Sequence, residues 1–296
     1  MDAAAGPLVR ARHDLLRGRP DLALAVLGNV SGAELGSPDF WRVRALATYQ
    51  LGRFEEAVQA AEQGLERAPN DIQLLDLLAL ANSERRRKKD ALRVIDAAID
   101  LRPEDPILHA HKAVILTRNA ANAIGFASYR KARAAAEAAL RIDPGCPIAL
   151  KARAQVAVLS GERRARAFAA GALSAEPGDD FAHALYGNAL TSRGHVTKGR
   201  GHYAEAARLD PQSPDAARLL RTTKPFSHIG ALPLRLYWRL GPLPVMLTLL
   251  VLVLGFLWLY LATGIGAPLA VVGILFIPFY WYLVVAGAIA RGSRRR

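Results

Sequence analysis

The chain contains one cysteine, Cys146, so no intramolecular disulfide can form and a reducing compartment is expected. Acidic residues are missing from Ala216 to the end, and no charge of either sign lies between Arg239 and Arg291. A buried soluble helix does not need so long an uncharged stretch, which excludes an ordinary globular subdomain there. That stretch also lacks the buried ionisable residue that a route for ions or substrates normally leaves, so transport is not expected. The start, MDAAAGPLVRARHDLL, has no apolar core of signal-peptide length, which argues against export by a cleaved signal.

The uncharged stretch holds two apolar segments, 243–263 and 267–290, joined by Gly264-Ile265-Gly266. At about 1.5 Å rise per residue each is long enough, as a helix, for a hydrocarbon core of about 30 Å. The expectation is a transmembrane helical hairpin. The net charge of +13 is unevenly placed. Nine basic and no acidic residues follow Asp215, whereas residues 1–215 carry thirty basic against twenty-six acidic. Basic flanks are retained on the cytoplasmic side, which places both termini and residues 1–221 there. The Ala- and Arg-rich composition points to a bacterial source, and hence to the inner membrane. A near-balanced upstream region is a poor phosphate-binding surface, so nucleic acid is not expected as a partner.

The residues bordering the spans suggest lipid contacts. In the linker or interfacial helix at 222–242, Tyr237 and Trp238 suit headgroup depth, and Arg235 and Arg239 suit anionic headgroups. Arg291 opens the basic tail, 291–296, on the same side of the membrane. Pro278 should kink the second span, and Tyr280, Trp281 and Tyr282 beside it are candidates for an intramembrane contact.

Upstream, small residues and prolines recur at a fixed period. Ala23, Ala57 and Ala91 are 34 apart, as are Gly18 and Gly52, Gly64 and Ala98, Pro69 and Pro103, and Pro177 and Pro211. Such a period marks a stacked repeat. In the unit 38–71, Trp41, Ala45 and Thr48 mark one face of a first helix and Gly52 allows a turn. Phe54, Ala57, Ala61 and Gly64 mark a second helix that ends before Pro69. One pair cannot bury its apolar face, so the pairs must stack.

These residues resemble the tetratricopeptide repeat family. Trp41, Ala45, Phe54, Ala57 and Pro69 match its pattern in one unit, Ala79, Ala91, Ala98 and Pro103 in the next, and Tyr186, Gly187, Tyr203, Ala206 and Pro211 in a later one. The resemblance covers residues 4–221, as about six helix pairs and a capping helix from residue 214. The fourth unit carries about seven extra residues around 119–126. The resemblance implies an all-α superhelix whose first helices line a groove that binds a protein or peptide. Candidate groove residues are Arg42, Leu46, Tyr49, Asp76, Lys151, Gln155 and Asn188. Lys151 and Gln155 partly echo the family's carboxylate clamp, but Leu185 stands where the next unit would need asparagine, so no such clamp is expected.

Other motifs have blander readings. Residues 84–90 form a charged inter-helix turn flanked by their own acids. The glycines of 194–201 lack the Lys-Ser/Thr ending and the preceding strand of a phosphate loop, and read as a repeat turn. His109 and His111 point to different sides of a helix, while His183 and His202 fall on packing positions. No catalytic set, cofactor site or metal site is expected. The expected function is a membrane-tethered interaction adaptor. The alternative is a subunit or assembly factor of an integral membrane complex, with the hairpin as the specific contact. Self-association is left open by the sequence.

Overall fold

The computed structural model describes residues 6–118, 125–211 and 213–224. The expected hairpin, 243–263 with 267–290, lies outside the described residues, as do Arg235, Tyr237, Trp238, Arg239, Tyr280, Trp281, Tyr282 and Arg291. Among the described residues there are thirteen α-helices, one short 3-10 helix at Gly32–Gly36 and no strand. Among them, too, no helix is long and apolar enough to cross a membrane.

The helices alternate as first and second members of pairs. They are α1 (Pro7–Leu16) and α2 (Pro20–Leu27), α3 (Pro38–Gln50) and α4 (Phe54–Leu65), α5 (Ile72–Glu84) and α6 (Lys88–Leu101), and α7 (Pro106–Arg118) and α8 (Gly125–Ile142). Next come α9 (Pro147–Ser160), α10 (Ala165–Ala175), α11 (Asp180–Thr191), α12 (Val196–Leu209) and α13 (Pro214–Thr223). The chain divides into two compact units, Met1–Arg164 and Ala165–Arg296. Helices α1–α9 belong to the first and α10–α13 to the second, so the boundary falls inside the fifth expected pair. With Pro103 and Pro144 in register, α8 is one turn longer at its start than α6, which absorbs part of the extra length of the fourth unit.

Local sequence explains the helix ends. Proline occupies the first turn of α3 and α9, where its missing N–H costs no helix bond. Ser37 caps α3 through Phe40 N at 3.2 Å, and Asp71 caps α5 through Gln73 N and Leu74 N. Asp179 caps α11 through Ala182 N. After the first helix of a pair the chain turns through a left-handed residue, Gly52 with φ 72° and Gly194 with φ 78°. One period after Gly52 that position is held by Arg86, with φ 61°, the one described non-glycine residue with positive φ. The charged stretch 84–90 is therefore a turn only at 85–87, and the 194–201 stretch is a turn only at Gly194 and His195 before α12 begins.

In the first unit each first helix packs against the first helix of the next pair, α1 on α3, α3 on α5, α5 on α7 and α7 on α9. Second helices pack mainly against their neighbours in the chain, so the first helices form the continuous inner layer. The core is built largely of alanine: Ala45, Ala79, Ala91, Ala98, Ala110 and Ala149 are fully buried. Small side chains let backbones approach. A Cβ on Gly64 would lie 2.8 Å from Trp41 Cβ and 2.6 Å from Leu74 Cδ1, so α4 sits against α3 and α5 at a distance that only glycine permits.

Candidate functional site

In the first unit the inner layer carries polar bonds that step from one repeat to the next. The Arg42 guanidinium, from α3, donates to Asp71 Oδ2 at 2.6 Å, and Asp71 is the cap of α5. Arg42 also pairs with Asp39, which Arg12 reaches at 3.0 Å. The same aspartate thus fixes the start of α5 and holds α3 against it. One repeat on, His111 of α7 contacts both carboxylate oxygens of Asp76 on α5, at 2.8 and 2.9 Å. A carboxylate only accepts, so His111 Nδ1 is the donor and its Nε2 faces away from that bond. Arg118 at the end of α7 pairs with Glu84 at the end of α5.

Tyr49 lies between these pairs. Its ring meets Phe54 at 5.6 Å between centroids, and its hydroxyl feels both Arg118 and Asp76. Burial raises its pKa, Arg118 opposes that rise and Asp76 adds to it. Leu46 packs against the core of α1–α5. Further along, Lys151 and Gln155 are half-buried one turn apart on α9. Of the candidates in this unit, Arg42 and Asp76 therefore hold neighbouring repeats together, and Tyr49 lies in their field.

A second polar cluster lies at the C-terminal end of this unit. Arg153 of α9, buried, forms a bidentate pair with Glu162 at 2.8 and 3.2 Å, and Arg133 of α8 reaches the same carboxylate at 2.9 Å. Burial pushes the Glu162 pKa upward, but bonds and charge from Arg153, charge from Arg133 and the Ser160 hydroxyl outweigh it and hold the carboxyl below its ordinary range.

In the second unit Asn188 is placed by the buried Tyr203. The tyrosine hydroxyl donates to Asn188 Oδ1 at 2.9 Å and meets Thr191 Oγ1 at 3.0 Å. His183 donates from Nε2 to the carbonyl of Pro177 at 3.1 Å, which leaves its Nδ1 to accept from His202 Nδ1 at 3.2 Å. His109 makes the matching bond to Pro103 at 2.8 Å, so a histidine six residues after the inter-repeat proline ties down that turn twice. Burial, and then the neighbouring His183, lower the His202 pKa. Beside this pair a cleft of about 290 Å³ opens, lined by Arg166, Tyr186, Leu190, His195, Lys198 and His202. Among the described residues no three His, Cys, Asp or Glu side chains gather as a metal site.

Residues 8–72 match the tetratricopeptide repeat family. Solved structures extend the likeness over most of the described chain. A thermophilic tetratricopeptide repeat protein from Thermus thermophilus aligns over 63% of this chain and 98% of its own, with TM-score 0.57 and 22% identity. A tetratricopeptide repeat protein from Parabacteroides merdae aligns over 74% of this chain and 83% of its own, with TM-score 0.63 and 14% identity. The fold is that of tetratricopeptide repeat proteins. PilW, a widely conserved type IV pilus biogenesis factor, shares it, with TM-score 0.55 and 17% identity over 73% of this chain and 96% of its own. No curated protein sequence matches the chain. At these identities the likeness concerns the fold, and function is argued from the residues.

Several repeat-to-repeat contacts have a signal in the sequence that pattern matching overlooks. Glu84 and Arg118 are opposite charges one 34-residue period apart, and Asp76 and His111 are 35 apart. Complementary polar residues at one repeat spacing are the mark of a bond between stacked first helices. The cleft has no linear mark, because three helices contribute to it.

Proposed function

We propose that this protein is a membrane-tethered, non-enzymatic adaptor whose repeat region binds a protein or peptide segment. The observation that carries this reading is the stack of first helices, α1, α3, α5, α7 and α9, a continuous layer presenting half-buried polar and apolar side chains such as Tyr49, Lys151 and Gln155. A broad, regularly spaced surface of that kind suits an extended segment better than a compact small molecule. The tether is the sequence hairpin, 243–263 with 267–290, flanked by Arg239 and Arg291, with anionic headgroups as the lipid contact and both termini at the cytoplasmic face of the inner membrane. Holding a binding module at a surface raises its effective concentration for other membrane proteins without new contacts.

Two experiments test the two halves of this reading. A reporter beside Ile265 and another at Arg296 test the tether: external activity beside Ile265 and cytoplasmic activity at Arg296 are expected, and either reversed signal overturns the topology. Crosslinking of the intact protein in its native membrane tests the adaptor. The aromatic run Tyr280, Trp281 and Tyr282 beside Pro278 favours a second reading, a subunit or assembly factor gripped through the hairpin. Loss of partner capture on changing Tyr280 and Tyr282 to Phe, with capture unaffected by changes in the repeats, would select it.

A further inference from the structure

The cleft of the second unit is lined by cations from two helices. Its two cations come from different helices, Arg166 from the first turn of α10 and Lys198 from the first turn of α12, and no carboxylate lines it. Neither Arg166 nor Lys198 has an ion-pair partner among the described residues. Several arginines elsewhere do meet carboxylates: Arg42 with Asp71, Arg85 with Glu55, Arg153 with Glu162 and Arg208 with Glu205. The two cleft cations also sit at helix starts, the end where the backbone dipole disfavours positive charge. Their placement therefore works against the helix dipoles, and an anion bound in the cleft would relieve that.

The shape of the cleft narrows the ligand. Tyr186 and Leu190 give it an apolar floor, and its volume of about 290 Å³ suits one side chain and little more. Over residues 165–224 eight basic residues face six acidic ones, so helices α10–α13 present no basic field broad enough to lie on a bilayer. A small, half-apolar recess with two unmatched cations fits an acidic side chain entering on a peptide.

We propose that the cleft between α10, α11 and α12 is a specificity pocket for a carboxylate side chain of a bound protein segment, held by Arg166 and Lys198. The pocket rests on the adaptor reading and gives its partner a chemistry: a segment with a glutamate or aspartate beside an apolar residue. The position differs from the inner-layer candidates, since both cations belong to second helices of their pairs.

The test uses the full-length chain in detergent and two dye-labelled peptides, one with glutamates spaced among leucines and one with glutamine at every glutamate. Fluorescence anisotropy should show the acidic peptide binding at least tenfold more tightly. The double variant Arg166→Ala/Lys198→Ala should abolish that preference with an unchanged circular dichroism spectrum. Arg93→Ala, which removes an exposed cation from the first unit, should leave it intact. Equal binding of the two peptides, or an undiminished preference in the double variant, overturns the pocket. If free glutamate or inorganic phosphate competes as well as the acidic peptide, the site takes small anions and the peptide assignment fails. If the double variant loses binding only to anionic vesicles, the assignment also fails. Native-membrane crosslinking separates the two proposals: a partner still captured by the double variant removes the pocket and leaves the adaptor standing.

Discussion

Two glycines two residues apart on α12 should respond to alanine with opposite signs. Gly199 faces α11, where an added Cβ would lie 2.5 Å from Thr191 Cγ2 and 2.8 Å from the Gly187 carbonyl oxygen. Ordinary contact begins at 3.4 Å, so the backbones must part by roughly half an ångström. Thr191 cannot swing aside freely, because its hydroxyl donates to Asn188 O at 3.1 Å and meets Tyr203. Overpacking costs about 1–3 kcal/mol, and disturbing the hydroxyl network adds about 1 kcal/mol. Alanine's better helix propensity returns about 1 kcal/mol. Gly199→Ala should therefore destabilise by about 1–3 kcal/mol. Gly201 has nothing within 4 Å of its would-be Cβ, so Gly201→Ala should stabilise by about 1 kcal/mol. At about 2–4 °C per kcal/mol the two variants should differ by on the order of 5–10 °C in thermal unfolding. Hydrogen exchange should locate both effects in α11 and α12, since stacked repeats couple mainly to their neighbours. Shifts of the same sign would refute the close approach of these helices.

Arg86→Gly should be neutral or stabilising by up to about 1 kcal/mol in denaturant titration, because relief of the left-handed backbone outweighs the added freedom of the unfolded chain. Gly52→Arg, the reverse change one period earlier, should cost about 1 kcal/mol by the same measurement. Glu162→Gln should destabilise by on the order of 1–3 kcal/mol at pH 7, since Arg153 is buried with its side chain 6% exposed and would keep only the half-exposed Glu137, at 3.5 Å, as a counter-charge. The Glu162 pKa is depressed in the folded state, so its stabilisation is present above the ordinary glutamate range of about 4.3 and fades as pH falls through the folded value. The gap between wild type and Glu162→Gln in acid titrations should accordingly narrow below about pH 4.

The register of the helix pairs is legible in the sequence where a position tolerates only one kind of residue. Ala45, Ala57 and Gly64 sit where backbones nearly touch, and Gly52 sits where φ is positive, so residue type and geometry are tied. Arg86 breaks that tie. It holds the turn position one period after Gly52, and its side chain gives no hint of the backbone it must adopt. Arg153 is another residue whose surroundings are hidden in the sequence, because its carboxylate partner lies beyond the end of α9 and arginine is ordinarily a surface residue. His183 and His202 read as packing residues. They do pack, but against each other across α11 and α12, a pairing no spacing rule within one helix reports. Arg42 and Asp76 fall on the inner layer as a groove pattern requires, yet they are bonded to Asp71 and His111, so register alone does not tell a ligand contact from a repeat-to-repeat bond.

The most direct measurement of the adaptor account places a photoreactive side chain in the full-length protein in its native membrane. One version carries it at Gln155 on the inner-layer helix α9, one at Arg93 on α6, whose side chain is 78% exposed, and one at Tyr280 in the second apolar segment. Illumination should join a distinct protein to position 155 and none to position 93. A partner captured from position 280 alone, with nothing from position 155, would contradict the account and place the specific contact in the hairpin.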